Sequence, residues 1–303
     1  MKIYHELARE NDRPLSLAIG FFDGMHRGHR EIARAALRMR KPGWRSGVLT
    51  FANHPASFLR PGSEPPRLST NEERIDLLAA AGFEECFFVP FGDAIAQLAP
   101  EAFLARLVDG LQARAVAVGA TFRFGHKRAG DASVMARFFA ERGVDLTAVE
   151  NVEEAGARIS STRIRTLVAE GDCELADRLL GHGYELRGIV ELGFGRGHDL
   201  GFPTANLRPP EKLLPKDGVY AAIARYDGRD YAALVSIGTN PQFAGERRTI
   251  EVWMRDFHAT IYGRELAVRE LRYVRAQQVF GSVDELMAQM RNDLAAVAYP
   301  TYG

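Results

Sequence analysis

At 303 residues, with 46% hydrophobic and 26% charged side chains, the chain has an ordinary globular composition and a length that favours two domains. Lys plus Arg and Asp plus Glu balance at 39 each, so no overall field draws the protein to nucleic acid or a membrane surface, and anionic ligands must be held by local sites. Cys86 and Cys173 are the only cysteines and neither sits in a metal-ligand spacing, which argues against a disulfide scaffold or structural zinc and for a reducing compartment.

The opening MKIYHELARENDRP lacks the apolar core of a signal peptide, and no later run approaches membrane-spanning length. A cytoplasmic protein is expected. From Leu15 to about Leu180, short apolar runs alternate with helical patterns. SLAIG, GVLTF, ECFFVPF and RAVAVG are bounded by turn residues and predict buried strands. HREIARAALRMR, NEERIDLLAAAG and EAFLARLVDGLQ repeat apolar residues at three and four and predict helices. That alternation is the signature of a parallel sheet covered on both faces, a Rossmann-like α/β domain over residues 1–182. TRIRTLVAEGDCELADRLLG predicts a helical joint. Beyond Gly183, YELRGIVELG, GVYAAIARYDGRDYAALVSIG, TIEVWMRDF and ELAVRELRYV predict strands of a small antiparallel β domain over 183–303. Asp227-Gly228 marks a hairpin tip. SVDELMAQMRNDLAAVA predicts a closing helix, with Ser282 as N-cap and Glu285 at its third position.

Two stretches carry chemistry. AIGFFDGMHRGHR runs a strand into a glycine turn, and the following helix is expected to begin near Met25 or His26. His26 and His29, three apart, would then share a face at a helix N-terminus, where free N–H groups and the dipole favour anions. Gly28 between them allows close approach to the backbone. Two imidazoles there can donate to a phosphate as charge builds on its oxygens. No GxxxxGK[ST] follows, so this is not a P-loop. The alternative, two surface histidines on an amphipathic helix, does not explain the glycines and aspartate around them. In GFGRGHDLGFPTANL, Gly193, Gly195, Gly197 and Gly201 suit a flap whose amides wrap phosphates. Thr204 and Asn206 alternate in an extended segment and could present two hard oxygen ligands to an ATP-bound Mg²⁺. A glycine-rich hairpin with a turn-forming asparagine is the purely structural alternative.

With TFANHP, VGATFRFGHKRAGD, ISSTRIR, DGVYAA, SIGTNPQF, EVWMRDF and IYGREL following in order, the chain resembles the bacterial bifunctional riboflavin kinase/FAD synthetase family over nearly its whole length. The resemblance implies an HxGH-type nucleotidylyltransferase domain followed by a β-barrel kinase domain. Its activities would be phosphorylation of riboflavin to FMN with MgATP, then transfer of AMP from ATP to FMN, giving FAD and pyrophosphate. It implies that His26 and His29 contact ATP phosphates, in a setting supplied by Gly20, Phe22, Asp23 and Gly28. Asp23 could instead fix the glycine turn, the reading favoured here. Ser160, Ser161, Thr162 and Arg165 would hold the β- and γ-phosphates, with SST equally able to cap a helix and Arg158 a secondary candidate. Phe51, His54 and Pro55 would border nucleotide and flavin, as would Thr121 and Phe122. Glu251 would be the base of the kinase, with Asp256 a rival read as structural. Arg275 and Phe280 would border the flavin.

The chain departs from the family pattern at Thr121 (usually Asp or Asn), Asn53 (often Pro), His198 (often Arg) and Gln242 (usually Thr). Riboflavin, FMN, FAD and ATP are the expected ligands, with Mg²⁺ accompanying ATP, no tightly bound cofactor, and no nucleic acid or membrane partner. A homo-oligomer is compatible with all of this. The rival readings are a riboflavin kinase with a weak adenylyltransferase half, a flavin- or nucleotide-binding regulatory protein, and a nucleotidyltransferase fused to an RNA-binding barrel. The last would want a basic and aromatic stripe that the strands lack.

Overall fold

The apolar runs of the first half pair side by side because none can be satisfied alone: each is buried on both faces. A computed structural model describes residues 1–192, 204–239, 248–278 and 280–295. Two compact units, Met1–Ser161 and Thr162–Gly303, divide the chain.

In the first unit β1 (Lys2–Tyr4), β2 (Leu15–Ile19), β3 (Arg45–Phe51), β4 (Glu85–Val89), β5 (Ala113–Gly119) and β6 (Asp145–Val149) form a parallel sheet in the order β1-β4-β3-β2-β5-β6. The four predicted strands are its four central ones. The edge strands β1 and β6 went unread because none of their residues is fully buried and they carry no continuous apolar run. Helices α1 (Arg27–Met39), α2 (Pro55–Leu59), α3 (Asn71–Ala80), α4 (Asp93–Ala96), α5 (Pro100–Ala105) and α6 (Ala132–Ala140) connect the strands, and β7 (Glu153–Glu154) pairs with β8 (Ala157–Arg158) as a small hairpin. Strand side chains alternate between two cores. Leu17, Ile19, Leu49 and Val116 pack with Phe103, Leu107 and Met135 on one face. Ala18, Val48, Cys86 and Ala117 pack with Ala33, Ala36 and Leu78 of α1 and α3 on the other. Burial pushes the Cys86 thiol up to about 12, so it stays an inert core residue.

The strand order reverses beside β2, whose neighbours are β3 and β5. In open α/β sheets the crevice at the carboxyl ends beside such a reversal is where ligands bind. The loops leaving β2, β3 and β5 carry the GFFDG turn, the 51–55 segment and Thr121-Phe122. Topology alone therefore gathers three stretches that are far apart in sequence.

The second unit holds α7, which spans Ser161–Glu170, α8 (Cys173–Leu180), and β9 (Leu186–Glu191), β10 (Thr204–Leu207), β11 (Gly218–Tyr226), β12 (Arg229–Thr239), β13 (Arg248–Met254) and β14 (Glu265–Arg275). The six strands close as an antiparallel barrel in the order β10-β13-β12-β11-β14-β9. Asp227 and Gly228 join β11 to β12 with φ of 49° and 75°, the two positive values that a type I′ hairpin needs. The joint helices lean on the barrel. Glu174 pairs with Arg272 of β14, and Asp177 accepts from the Tyr184 amide at 2.6 Å. Burial pushes the Asp177 carboxyl up to about 7.

The last helix, Val283–Ala295, is capped as its sequence predicts, with Ser282 Oγ accepting from the Glu285 amide at 3.2 Å. The reciprocal bond shifts by one residue: the Glu285 carboxylate accepts from Gly281 rather than Ser282. Arg275 donates to both oxygens of Asp293, which is 2% exposed, and so ties this helix to β14. Arg275, implied as a flavin neighbour, thus also anchors the last helix.

Candidate functional site

The GFFDG turn is held in a backbone conformation that few sequences tolerate. Phe22, Gly24 and Met25 all have positive φ, at 56°, 73° and 41°. Strain of this kind persists only where surroundings impose it. Here Asp23 does so. Its carboxylate, 2% exposed, accepts from the amides of Leu68 and Ser69 at 3.0 Å and from the Ser69 hydroxyl, while Ser69 in turn accepts from Gly24. Asp23 is the anchor of the turn. Phe22 is fully buried and meets the His29 ring edge-on at 5.3 Å, so its side chain packs against that histidine. Gly20 is needed for that packing, because a Cβ there would lie 3.1 Å from the Phe22 ring.

The helix starts one residue later than the sequence predicts. Arg27 opens α1, and His26 is its N-cap, with Nδ1 accepting from the His29 amide at 3.2 Å. The two imidazoles stack at 3.6 Å with 16° between planes. Capping points the His26 ring along the helix end and brings it face to face with His29. Gly28 matters for a reason other than backbone access: a Cβ there would meet the His26 ring at 3.1 Å. Ser161 Oγ donates to the Asp23 carbonyl at 3.2 Å, bringing the start of the SST loop to the same turn. Ser160 precedes it, whereas Thr162 and Arg165 lie on α7 within the second unit.

His54 caps α2, its Nδ1 accepting from the Ala56 amide at 3.1 Å, and Pro55 takes the first helical position. The Phe21 ring meets His54 edge-on at 4.7 Å. Phe51 is 8% exposed and belongs to the core, so a flavin contact there would fall to its backbone or neighbours. Asn53, where the family often has proline, exchanges two hydrogen bonds with the Phe91 backbone, at 3.0 and 2.8 Å. Thr121 is exposed and accepts from Arg158 at 3.2 Å, while Phe122 stacks on Phe124. Sequence reasoning missed Arg74. It is 2% exposed and donates to the carbonyls of Phe21 (3.0 Å) and Phe51 (2.8 Å). Its signal was a charge on the apolar face of α3, one turn from buried Leu78.

In the barrel, buried Ala205, Leu207, Ile250, Val252 and Met254 alternate with half-buried Thr204, Asn206, Glu251 and Trp253. Thr204 and Asn206 do share a face, and Glu251 stands directly across from Asn206 on one side and Ser236 on the other. Such opposed side chains have Cβ atoms about 5 Å apart. Glu251 is the fourth residue of β13 and lies on its half-buried face. Burial still raises its carboxyl above the usual carboxylate range. Ser236 and Gln277, bonded at 3.0 Å, extend this polar row and were missed. Asp256 sits in a turn at φ 56°. Phe280 lies 5.6 Å from the Arg275 guanidinium. Gly193, Gly195, Gly197, Gly201, His198 and Gln242 lie outside the described residues.

A parallel sheet with a histidine-bearing helix start at its topological switch point, followed by a closed antiparallel barrel, defines a nucleotidyltransferase-type unit joined to a kinase-type barrel. The FAD synthetase family model matches residues 8–163 and the riboflavin kinase model residues 180–299. Bifunctional riboflavin kinase/FMN adenylyltransferases from Listeria monocytogenes (34% identical, 91% of this chain and 89% of that one) and Escherichia coli K12 (35%, 95% and 93%) are similar over most of their length. That of Bacillus subtilis is 33% identical, with 95% of this chain and 93% of the other covered. This chain belongs to the bifunctional riboflavin kinase/FMN adenylyltransferase family. A crystal structure from Streptococcus pneumoniae described as a macrolide-efflux protein has the same fold, with a TM-score of 0.87, 30% identity and 97% of each chain covered. Among the described residues of the present chain, no helix is long and apolar enough to cross a membrane.

Proposed function

We propose that the barrel unit phosphorylates riboflavin to FMN with MgATP, and that the sheet unit transfers AMP from ATP to FMN, releasing pyrophosphate. The observation that carries this reading is the coexistence of two prepared sites, the stacked His26–His29 pair at a helix start and the Asn206–Glu251 pairing on the barrel.

In the kinase reaction Glu251 takes the proton from the ribityl 5′-hydroxyl, whose oxygen attacks the γ-phosphorus while ADP leaves. A carboxyl raised by burial suits a base working near neutral pH. Thr204 and Asn206 offer a hydroxyl and a carboxamide oxygen, donors suited to the Mg²⁺ that accompanies ATP. Bound there, the cation would neutralise phosphate charge. In the adenylyl reaction an FMN phosphate oxygen attacks the α-phosphorus of ATP and pyrophosphate departs. Nothing covalent is asked of the protein, only alignment and donors for the developing charge. His26 and His29 supply the donors, and Ser160 and Ser161 adjoin the same turn. Thr121, paired with Arg158, lends a shorter and uncharged contact toward flavin or ribose than the usual Asp or Asn.

Gly28→Ala is expected to push the His26 ring out of its stack. FAD formation should fall on the order of 10²-fold, the scale of a misplacement near 1 Å, with riboflavin phosphorylation unchanged in the same preparation. The assignment of one activity to each unit is tested by fragments. Because α8 is bonded to β14 and to Tyr184, residues 162–303 expressed alone should fold and convert riboflavin to FMN without making FAD. A fragment folded by circular dichroism yet inert toward riboflavin and MgATP would move the kinase elsewhere.

A further inference from the structure

Arg74 is a cation placed where cations are costly. Its side chain is 2% exposed, and among the described residues no carboxylate lies within ion-pair distance of it. Asp23 is near enough to favour the charged form, but its oxygens are taken up by Leu68 and Ser69. Burial lowers Arg74 only to about 10, so the guanidinium stays charged under ordinary conditions. A buried guanidinium without a partner carboxylate is retained at a cost in stability, and a core leucine would fill α3 without it.

Its hydrogen bonds show what it holds. One terminal nitrogen donates to the Phe21 carbonyl in the glycine turn, and the other to the Phe51 carbonyl at the end of β3 and to Asn71 Oδ1 at 2.9 Å. Thr50 Oγ1 donates to the same Phe21 carbonyl at 2.9 Å. The guanidinium carbon lies over the Phe21 ring at 4.4 Å and over the Phe88 ring at 4.9 Å. Phe21 is in turn the ring against His54. Two walls of the crevice are thus locked together by one side chain, and its charge lies directly behind them.

We propose that Arg74 is a positioning residue for adenylyl transfer: it fixes the Gly20–Gly24 turn against the end of β3 and sets a permanent positive charge behind the polyphosphate site. This rests on the adenylyltransferase reading above. Geometry and charge separate by substitution. Lysine keeps the charge but cannot bridge both carbonyls, and methionine keeps the volume but neither property.

The test uses the full chain and reads both reactions, with kinase turnover as the control for folding. In Arg74→Met, kcat for FAD formation should fall about 10²-fold and the KM for ATP should rise several-fold, while FMN formation stays within twofold. In Arg74→Lys the KM should recover and kcat should stay low. Guanidinium added to Arg74→Ala should restore part of kcat. Normal kcat and KM in the methionine variant, or a loss confined to thermal stability and equal in both variants, would overturn the proposal. ATP binding to the parent and to Arg74→Met, followed by calorimetry without FMN, separates this from the activity itself. If the parent makes no FAD yet binds ATP more tightly than the variant, the adenylyltransferase reading fails and with it the positioning role, while the charge of Arg74 behind a polyphosphate site stands. Equal binding, together with unchanged turnover, defeats the role of Arg74 alone.

Discussion

Glu251→Gln should abolish most FMN formation, by a factor of about 10²–10⁴, the usual contribution of a general base. FMN supplied from outside should still become FAD at the parental rate. Glutamine preserves the length and shape of the side chain between Asn206 and Ser236, so the cross-strand row should survive while the proton acceptor is lost. The pH profile adds a second readout. Burial raises the carboxyl, so its protonated form persists to higher pH than for an exposed glutamate. A base works only when deprotonated. Kinase turnover should therefore decline, as pH falls, at a pH above that expected for an ordinary glutamate, and this limb should vanish from the residual rate of the variant. Turnover within a few-fold of the parent would make Glu251 a structural member of β13.

The second large effect is expected at His29. Its replacement by alanine would remove the donor proposed for the ATP phosphates and leave His26 without its stacking partner. Loss of one such donor costs about 10²–10³ in rate. FAD formation should fall by that factor with FMN formation little changed, both followed in one assay. His26→Ala should also weaken the start of α1, because His26 Nδ1 caps it. His29 is therefore the cleaner probe of chemistry. A parallel fall in both reactions would mark a folding defect instead.

What could be read from the residues was set by burial. SLAIG, GVLTF, ECFFVPF and RAVAVG lie in the middle of the sheet, so their composition is dictated from both faces and announces them. KIY and DLTAV lie at its edges with no fully buried residue, and nothing in them demands a strand. The HxGH spacing announced a pair of histidines on one face, but not that the first would cap the helix, since capping depends on a backbone that bends at Met25. Asp23 could be read as a turn anchor from its glycine neighbours, whereas its partners Leu68 and Ser69 come from a distant loop that no local pattern marks. Arg74 has the same origin. Its donors reach strand ends that only the sheet order brings together. In the barrel, alternation put Thr204 and Asn206 on one face, and the pairing of β13 with β10 and β12 then set Glu251 between Asn206 and Ser236.

The central claim, two successive reactions on one chain, is tested most directly by incubating the intact protein with riboflavin and MgATP and resolving the flavins by chromatography over time. The account predicts that riboflavin disappears as FMN rises first and FAD follows, with pyrophosphate released in step with FAD. FMN that accumulates without any FAD, even when FMN and ATP are supplied in excess, would contradict the adenylyltransferase half. Riboflavin that remains unphosphorylated while added FMN is still adenylated would contradict the kinase half.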